Sequence, residues 1–476
     1  MNRFSETIMR TWIGLGTRFL PFADVATREL PLSRLLRLSL FQVSVGMATV
    51  LLVGTLNRVM IVELGVPASL VAVMIALPLL FAPFRALIGF KSDTHHSALG
   101  WKRVPFIWKG TLIQFGGLAI MPFALLVLSG GGQSAQAPVW VGQVAAALAF
   151  LLVGAGLHTI QTAGLALATD LVAPESQPNV VGLMYVMLLL GTLLSALLFG
   201  TLLEAFSPGR LVQVIQGAAV CTVALNIAAL WKQETRRPPR GAAAAEHPSF
   251  AAAWRAYIDG DRAVRHLVAV GLGTMAFSMQ DVLLEPYGGA VLNLTVSATT
   301  RLTATLAFGG LVGFGLASRL LSRGGNAFVM TGTGALLGIP AFAGVIVAAP
   351  MMSPPLFGAA VLLIGFAAGL FSHGTLTAAM GLAPTEQRGL ALGAWGAVQA
   401  SAAGLAVALG GVLRDVVSGL AARGGLAGGM GQGPATGYIA VYILEMLLLL
   451  ATLVVLLPLV RRGRMSAATT GGPVSV

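Results

Sequence analysis

The run Leu267-Val-Ala-Val-Gly-Leu-Gly-Thr-Met-Ala-Phe-Ser-Met-Gln280-Asp281-Val-Leu-Leu-Glu285-Pro-Tyr287-Gly-Gly-Ala-Val-Leu-Asn-Leu294 decides how the chain is read. A helix crossing a bilayer core takes about 20 apolar residues. This run is longer than that, and it holds Asp281 and Glu285 one helical turn apart. A carboxylate at bilayer depth is costly without a partner, a cavity or a proton, so such residues mark a functional site. Asp281 and Glu285, four apart, are expected on one helix face, with Gln280 and Tyr287 beside them.

The rest of the chain agrees with a membrane setting. Of 476 residues, 56% are hydrophobic and only 10% charged, with a mean hydropathy of +0.86. Soluble chains average about 25% charged residues. The net charge of +12 does not suggest a nucleic-acid binder, because the basic residues lie between apolar runs. A single cysteine, Cys221, supports neither a disulfide nor a metal cluster and reads as a small buried hydrophobe. No nucleotide loop, catalytic triad or metalloprotease signature is visible, so no enzyme is expected.

Reading outward in 20-residue windows gives spans near 40–62, 66–89, 104–129, 139–169, 180–203, 211–231, 267–294, 302–321, 327–349, 356–383, 389–413 and 437–460. The expectation is an all-α polytopic membrane protein with twelve transmembrane helices. Alternate connections hold about 23 of the 29 basic residues. By the positive-inside rule this places both termini in the cytoplasm. Residues 1–39 read as a cytoplasmic segment. Within it Phe4, Ile8, Trp12, Leu15 and Phe19 recur opposite Arg3, Arg10 and Arg18, the pattern of a helix lying in the headgroup layer. Residues 232–266, with Pro238-Pro239, read as a cytoplasmic linker between six-helix bundles at 40–231 and 267–460, and 461–476 as a cytoplasmic tail.

The halves echo each other: Ala173-Pro-Glu-Ser-Gln177 follows the fourth span and Ala383-Pro-Thr-Glu-Gln387 the tenth. Two six-helix halves joined by such a loop are the major facilitator arrangement, with binding between the halves near the midplane. Gly89-Phe-Lys-Ser-Asp93 has the spacing of that family's loop motif, although Thr94 stands where arginine is usual and the basic part lies at Gly100-Trp-Lys102-Arg103.

The stretch Phe84-Arg85-Ala-Leu-Ile-Gly89-Phe-Lys91-Ser-Asp93-Thr-His-His-Ser-Ala-Leu-Gly-Trp-Lys102-Arg103-Val-Pro-Phe-Ile-Trp108, together with Gln280–Gly289, resembles the bacteriochlorophyll-delivery (PucC/LhaA-type) branch of the major facilitator superfamily. The resemblance covers the chain from about residue 30 onward. It implies an assembly factor for light-harvesting complexes in the photosynthetic inner membrane. Such a factor would hold or hand over bacteriochlorophyll as cargo, with antenna polypeptides, the pigment's synthesis machinery and membrane lipids as partners. The alternative is a proton-coupled secondary transporter of a small amphipathic solute, with Asp281 or Glu285 taking the proton.

Three further expectations can be placed on residues. At 1.5 Å per residue, Arg58 in span one and Glu285 in span seven each lie about 27 Å into their helices, so an ion pair joining the halves is expected, against separate snorkelling. His158 and His373, flanked by Gly154, Gly156 and Gly374, are candidate ligands for a pigment magnesium. The other reading is a packing histidine bonded to Thr159 or Thr375. No metal is expected to be bound by the protein directly. Lys91, Lys102, Arg103 and Lys109 cluster at one bundle end, serving anionic lipid or partner docking, or topology alone.

Overall fold

The computed structural model describes residues 31–78, 88, 92, 101–130, 137–173, 177–234, 261–382, 388–423 and 435–470. The expected surface helix before residue 30, the loop-motif residues Arg85, Gly89, Lys91 and Asp93, and the repeated Pro-Glu and Pro-Thr turns lie outside that set, as does most of the expected linker.

Every regular element among the described residues is helical. The first half holds α1 (Leu32–Glu63), α2 (Ala68–Ala76), α3 (Val104–Leu128), α4 (Val139–Asp170), α5 (Gln177–Leu202) and α6 (Pro208–Leu230). The second holds α7a (Asp261–Ser278), α7b (Leu284–Leu292), α8 (Val296–Ser322), α9 (Ala327–Ala348), α10 (Pro354–Leu382), α11 (Arg388–Ala422) and α12 (Thr436–Thr470). Ten stretches are long and apolar enough to cross a membrane, and α7a with α7b makes an eleventh if that bent pair is one span. The remaining expected span, 66–89, is described over 66–78 and at 88, where α2 (Ala68–Ala76) covers its first part. The chain is a multi-pass membrane protein.

Helix edges differ from the hydropathy reading where basic side chains take over from apolar ones. α1 starts at Leu32 rather than 40 because Arg34 and Arg37 find partners. Arg34 donates to the Gln233 carbonyl (2.7 Å) and side chain (3.2 Å), and Arg37 to the Trp231 carbonyl (2.8 Å). Carbonyls at the end of α6, which lack intrahelical donors, are thereby satisfied. Other ends are capped locally. Ser207 accepts from the Arg210 amide, Thr295 from Ala298, and Asn326 from Phe328 and Val329.

The expected single helix at 267–294 is broken. α7a ends at Ser278, a tight 3-10 turn covers Met279–Val282, and α7b departs at 45°. Pro286 supplies the reason. It has no amide hydrogen, and its ring clashes with the carbonyl four residues earlier in a continuous α-helix.

The halves meet along two seams, α5 against α8 and α2 against α11. These are the second and fifth helices of each half. At the second seam Gly411 faces Ala68 and Ala72 so closely that a Cβ there would lie 2.8 Å from the Ala68 carbonyl oxygen. Hydrogen bonds between the halves gather at the end of the bundle where the α5–α6 turn lies, the far end. Asn57 donates to the Val282 carbonyl at 2.8 Å, Thr55 and Thr300 meet at 3.2 Å, and Ser297 donates to the Gly200 carbonyl at 2.7 Å. The Ser69 amide donates to Asp415 at 2.6 Å. Arg301 and Glu204 pair at 2.9 Å on the surface, where such pairs contribute little. Tyr287, packed on Phe357, Tyr438 and Tyr442 with ring centroids 5.4–5.6 Å apart, fills the second half at this end.

Candidate functional site: a cavity between the halves

A cavity of about 420 Å³ lies between the halves. α1 lines it with Thr49, Val53 and Gly54, and α5 with Tyr185, Leu188, Leu189 and Thr192. α8, α10 and α11 supply Leu306, Phe314, Ile364, Phe371, Trp395 and Gln399 among others. Its volume falls in the range of small-molecule sites, about 300–1,000 Å³, which are mostly apolar with a few placed polar groups. Here those polar groups are Gln280, Asp281 and Glu285 from the α7 break.

The break places them. Asp281 sits in the 3-10 turn and Glu285 in the first turn of α7b, so they do not share an unbroken helix face as expected. Both nevertheless reach the same cavity. Glu285 is 3% exposed and accepts the Thr303 hydroxyl. Gln280 is 2% exposed, and its amide nitrogen donates to the Asp281 carboxylate at 2.6 Å and the Phe277 carbonyl at 3.2 Å. Tyr287 faces away, donating to the Val345 carbonyl at 3.1 Å, and belongs to the packing of the far end.

The expected Arg58–Glu285 ion pair does not form. Arg58 pairs with Glu63 in its own helix, and its Nη2 donates to the Leu294 carbonyl at 3.1 Å. The bend at the break carries Gly289 onto the guanidinium, where a Cβ would lie 3.1 Å from Nη2, while Glu285 turns to Thr303. Arg58 therefore joins the halves through a backbone carbonyl. Its charge still reaches Glu285 through space.

The two candidate histidines lie outside the cavity lining. His373 packs its ring against Phe314 (centroids 4.2 Å apart), and Phe314 lines the cavity, so His373 stands one ring away from it. The glycines beside the histidines are taken up by close helix contact and leave no slot for a flat macrocycle. Gly156 lies against Gly110 and Gln114, Gly154 against Pro78, and Gly374 against Thr331. Neither threonine hydroxyl serves its histidine: Thr159 donates to the Ala155 carbonyl and Thr375 to the Ser372 carbonyl. In the basic cluster, Arg103 is 5% exposed and paired with Asp170 at 3.0 Å, with a second bond to Ser92. It is a structural residue, unlike Lys109, which is exposed. Glu234 accepts from the backbone amides of Lys102 (2.7 Å), Arg103 and Val104 (3.0 Å), capping α3. Cys221 is exposed, contrary to its reading as a buried hydrophobe.

Sequence reading passed over Glu445, which is fully buried in α12 beside Gln280. It is the one charged residue in 437–460, so the reasoning that marks Asp281 applies to it equally. Trp395, Gln399 and Thr303 carry no such signal. Only helix packing brings them to the cavity.

The chain matches the sequence profile described as PUCC protein over residues 55–464. It is 63% identical over 420 residues to Protein PucC of Rhodovulum sulfidophilum, covering 88% of this chain and 92% of that protein. It is 56% identical over 461 residues to Protein PucC of Cereibacter sphaeroides, covering 97% and 98%. A more distant relative, the bacteriochlorophyll synthase 44.5 kDa chain of Rhodobacter capsulatus, is 28% identical over 394 residues, 81% of this chain and 88% of that one. Among solved structures, an inward-facing, unoccupied bacterial homologue of the human lysosomal transporter Spinster superposes with a TM-score of 0.60 at 18% identity, covering 89% of this chain and 94% of that one. An outward-facing bacterial homologue of the iron transporter ferroportin gives 0.56 at 18%, covering 90% and 98%. These two share the fold. Profile and relatives together place this chain in the PUCC protein family.

Proposed function

We propose that the protein is an assembly factor for bacterial light-harvesting antenna complexes, holding bacteriochlorophyll between its halves and handing it to antenna polypeptides in the photosynthetic membrane. In this reading it binds and transfers cargo and is not an enzyme. Its partners are antenna polypeptides, the pigment's synthesis machinery and membrane lipids, not nucleic acid. Its bundle holds twelve helices, with both termini in the cytoplasm.

The observation that carries the reading is the cavity between the halves, in a chain of this family. Its walls are largely apolar and suit a macrocycle, while Gln280, Asp281 and Glu285 offer oxygen groups along one side. Side-chain oxygens or a water serve the pigment magnesium better here than His158 or His373, which lie off the cavity. A tailed pigment needs more than about 420 Å³, so the halves must part to admit it. One distant relative carries a bacteriochlorophyll name, which is in keeping with a pigment cargo.

A second reading, a proton-coupled transporter of a small amphipathic solute, draws on the same cavity and on two carboxyl groups lining it without a basic partner within ion-pair distance among the described residues. Purification from a phototrophic host in mild detergent separates the two. Pigment absorption and co-eluting antenna polypeptides, both reduced by Glu285→Gln, are expected for the assembly factor. Solute flux across sealed vesicles with no bound pigment would replace it with the transporter.

A further inference from the structure

The α7 break has a third carboxylate behind it. α12 packs along α7a and against the 3-10 turn. From α12, Glu445 reaches that turn. Nine residues in from Thr436 (445 minus 436), it lies about 14 Å from the helix start. Glu445 is fully buried, and neither of its carboxyl oxygens has a hydrogen-bond partner of good geometry. Its carboxyl stands beside the Gln280 backbone amide and within electrostatic reach of Asp281.

Gln280 completes the arrangement. Its Nε2 is fixed by two acceptors, the Phe277 carbonyl and the Asp281 carboxylate. That sets the amide orientation and leaves Oε1 on the same head, buried and without a donor. Acceptor oxygens from three side chains thus gather at one turn. Buried polar groups in native proteins have partners as a rule, and an ionised carboxylate in a dry interior is far too costly to stand alone. What is missing is positive charge.

The surroundings do not supply it. The 3-10 turn and α7b bring Asp281, Glu285 and Tyr287, α12 brings Tyr438 and Tyr442, and the ionisable residues of α7a, Asp261, Arg262, Arg265 and His266, lie in its first two turns, well away from the 3-10 turn. α9 has no ionisable residue along Ala327–Ala348. On α11, Arg414 is held by Asp415 at 2.8 Å and by the Tyr438 hydroxyl at 3.2 Å. On α10, His373 packs on Phe314. No cluster of three or more His, Cys, Asp or Glu occurs among the described residues, so the donor set is too sparse for a divalent metal.

We propose that Glu445, Gln280 and Asp281 form a binding site for a monovalent cation, H⁺ or Na⁺, set in the α7 break directly behind the cavity wall. Broken helices at the midplane hold coupling ions in the same manner in other membrane proteins. The site goes beyond the assembly reading and stands whichever cargo the cavity takes. Asp281 belongs to both site and cavity, so cation binding sets the charge on the cavity wall.

The test uses the full-length protein in nanodiscs, without cargo, with Glu445→Gln and Asp281→Asn as isosteric variants whose folding is checked by gel filtration. Infrared difference spectra on a pH step read the proton. A protonated-carboxyl band present in the parent and lost in Glu445→Gln supports the site with H⁺ as occupant. Thermal melting in Na⁺ against K⁺ reads sodium. A rise in Tm specific to Na⁺, lost in either variant, supports it with Na⁺. A parent that shows neither the band nor a Na⁺-specific rise overturns the proposal, and this holds even if a variant fails to fold. Pigment binding is not measured, so failure here leaves the assembly reading standing on its own test.

Discussion

Replacing Gly411 by alanine should part the two halves at the far end. The added Cβ would lie 2.8 Å from the Ala68 carbonyl oxygen and would press on the Ala72 methyl. Nonbonded carbon atoms prefer about 3.5–4.0 Å, so α2 and α11 must separate by roughly 1 Å. Overpacking of this size costs about 1–3 kcal/mol. The cost exists only while the halves touch, so it falls on the closed arrangement. One turn further along, the 2.6 Å bond from the Ser69 amide to Asp415 would lengthen as well. A penalty of 1–2 kcal/mol shifts a two-state equilibrium about 5–30-fold. The reporter is Thr300→Cys, at a fully buried position on the α1–α8 contact, in a Cys221→Ser background that removes the single native cysteine. Labelling by a polar maleimide should speed up about 5–30-fold in Gly411→Ala. Gly396→Ala, in the same helix with nothing within 4 Å, is the control and should leave the rate unchanged. Equal rates in both variants, or no acceleration, would refute the reasoning.

Other outcomes follow from the same contacts. Arg58→Met removes the bond to the Leu294 carbonyl and should accelerate the same labelling by about one hydrogen bond's worth, roughly 1 kcal/mol; an unchanged rate would show that Arg58 does not tie the halves. Glu234→Ala uncaps α3 by removing the acceptor for three backbone amides and should cost about 1–2 kcal/mol, seen as a lower Tm in detergent, with an unchanged Tm counting against the cap. Under the assembly reading, His158→Leu should leave the pigment content of the purified protein unaltered, since His158 does not line the cavity, whereas Asp281→Asn should change it. Loss of pigment in His158→Leu alone would move the pigment site to α4.

Much of the architecture was legible from the chain alone, because a bilayer imposes it. Apolar runs of fixed length must become helices there, as every backbone group has to be satisfied within its own segment. Asp281 and Glu285, which line the cavity, were likewise identifiable as out of place, because an acidic group in an apolar run is seldom there for packing. Glu445 carried the same signal.

Partner choice was a different matter. Sequence spacing put Arg58 and Glu285 at matching depths, but depth says nothing about direction. Pro286 broke α7, the bend turned Glu285 to Thr303, and Arg58 closed on Glu63 and the Leu294 carbonyl. The histidines fell outside the cavity lining for a related reason. The glycines around them could equally mean space for a cargo or close contact between helices, and only the packing of α3 on α4 and of α9 on α10 showed that they mean contact. Local chemistry thus determined that this chain lies in a membrane and which groups are out of place there. Which of those groups meet, and around what cavity, was decided by a kink and by helices packed so closely at glycines that no Cβ fits between them, and neither is written in a hydropathy pattern.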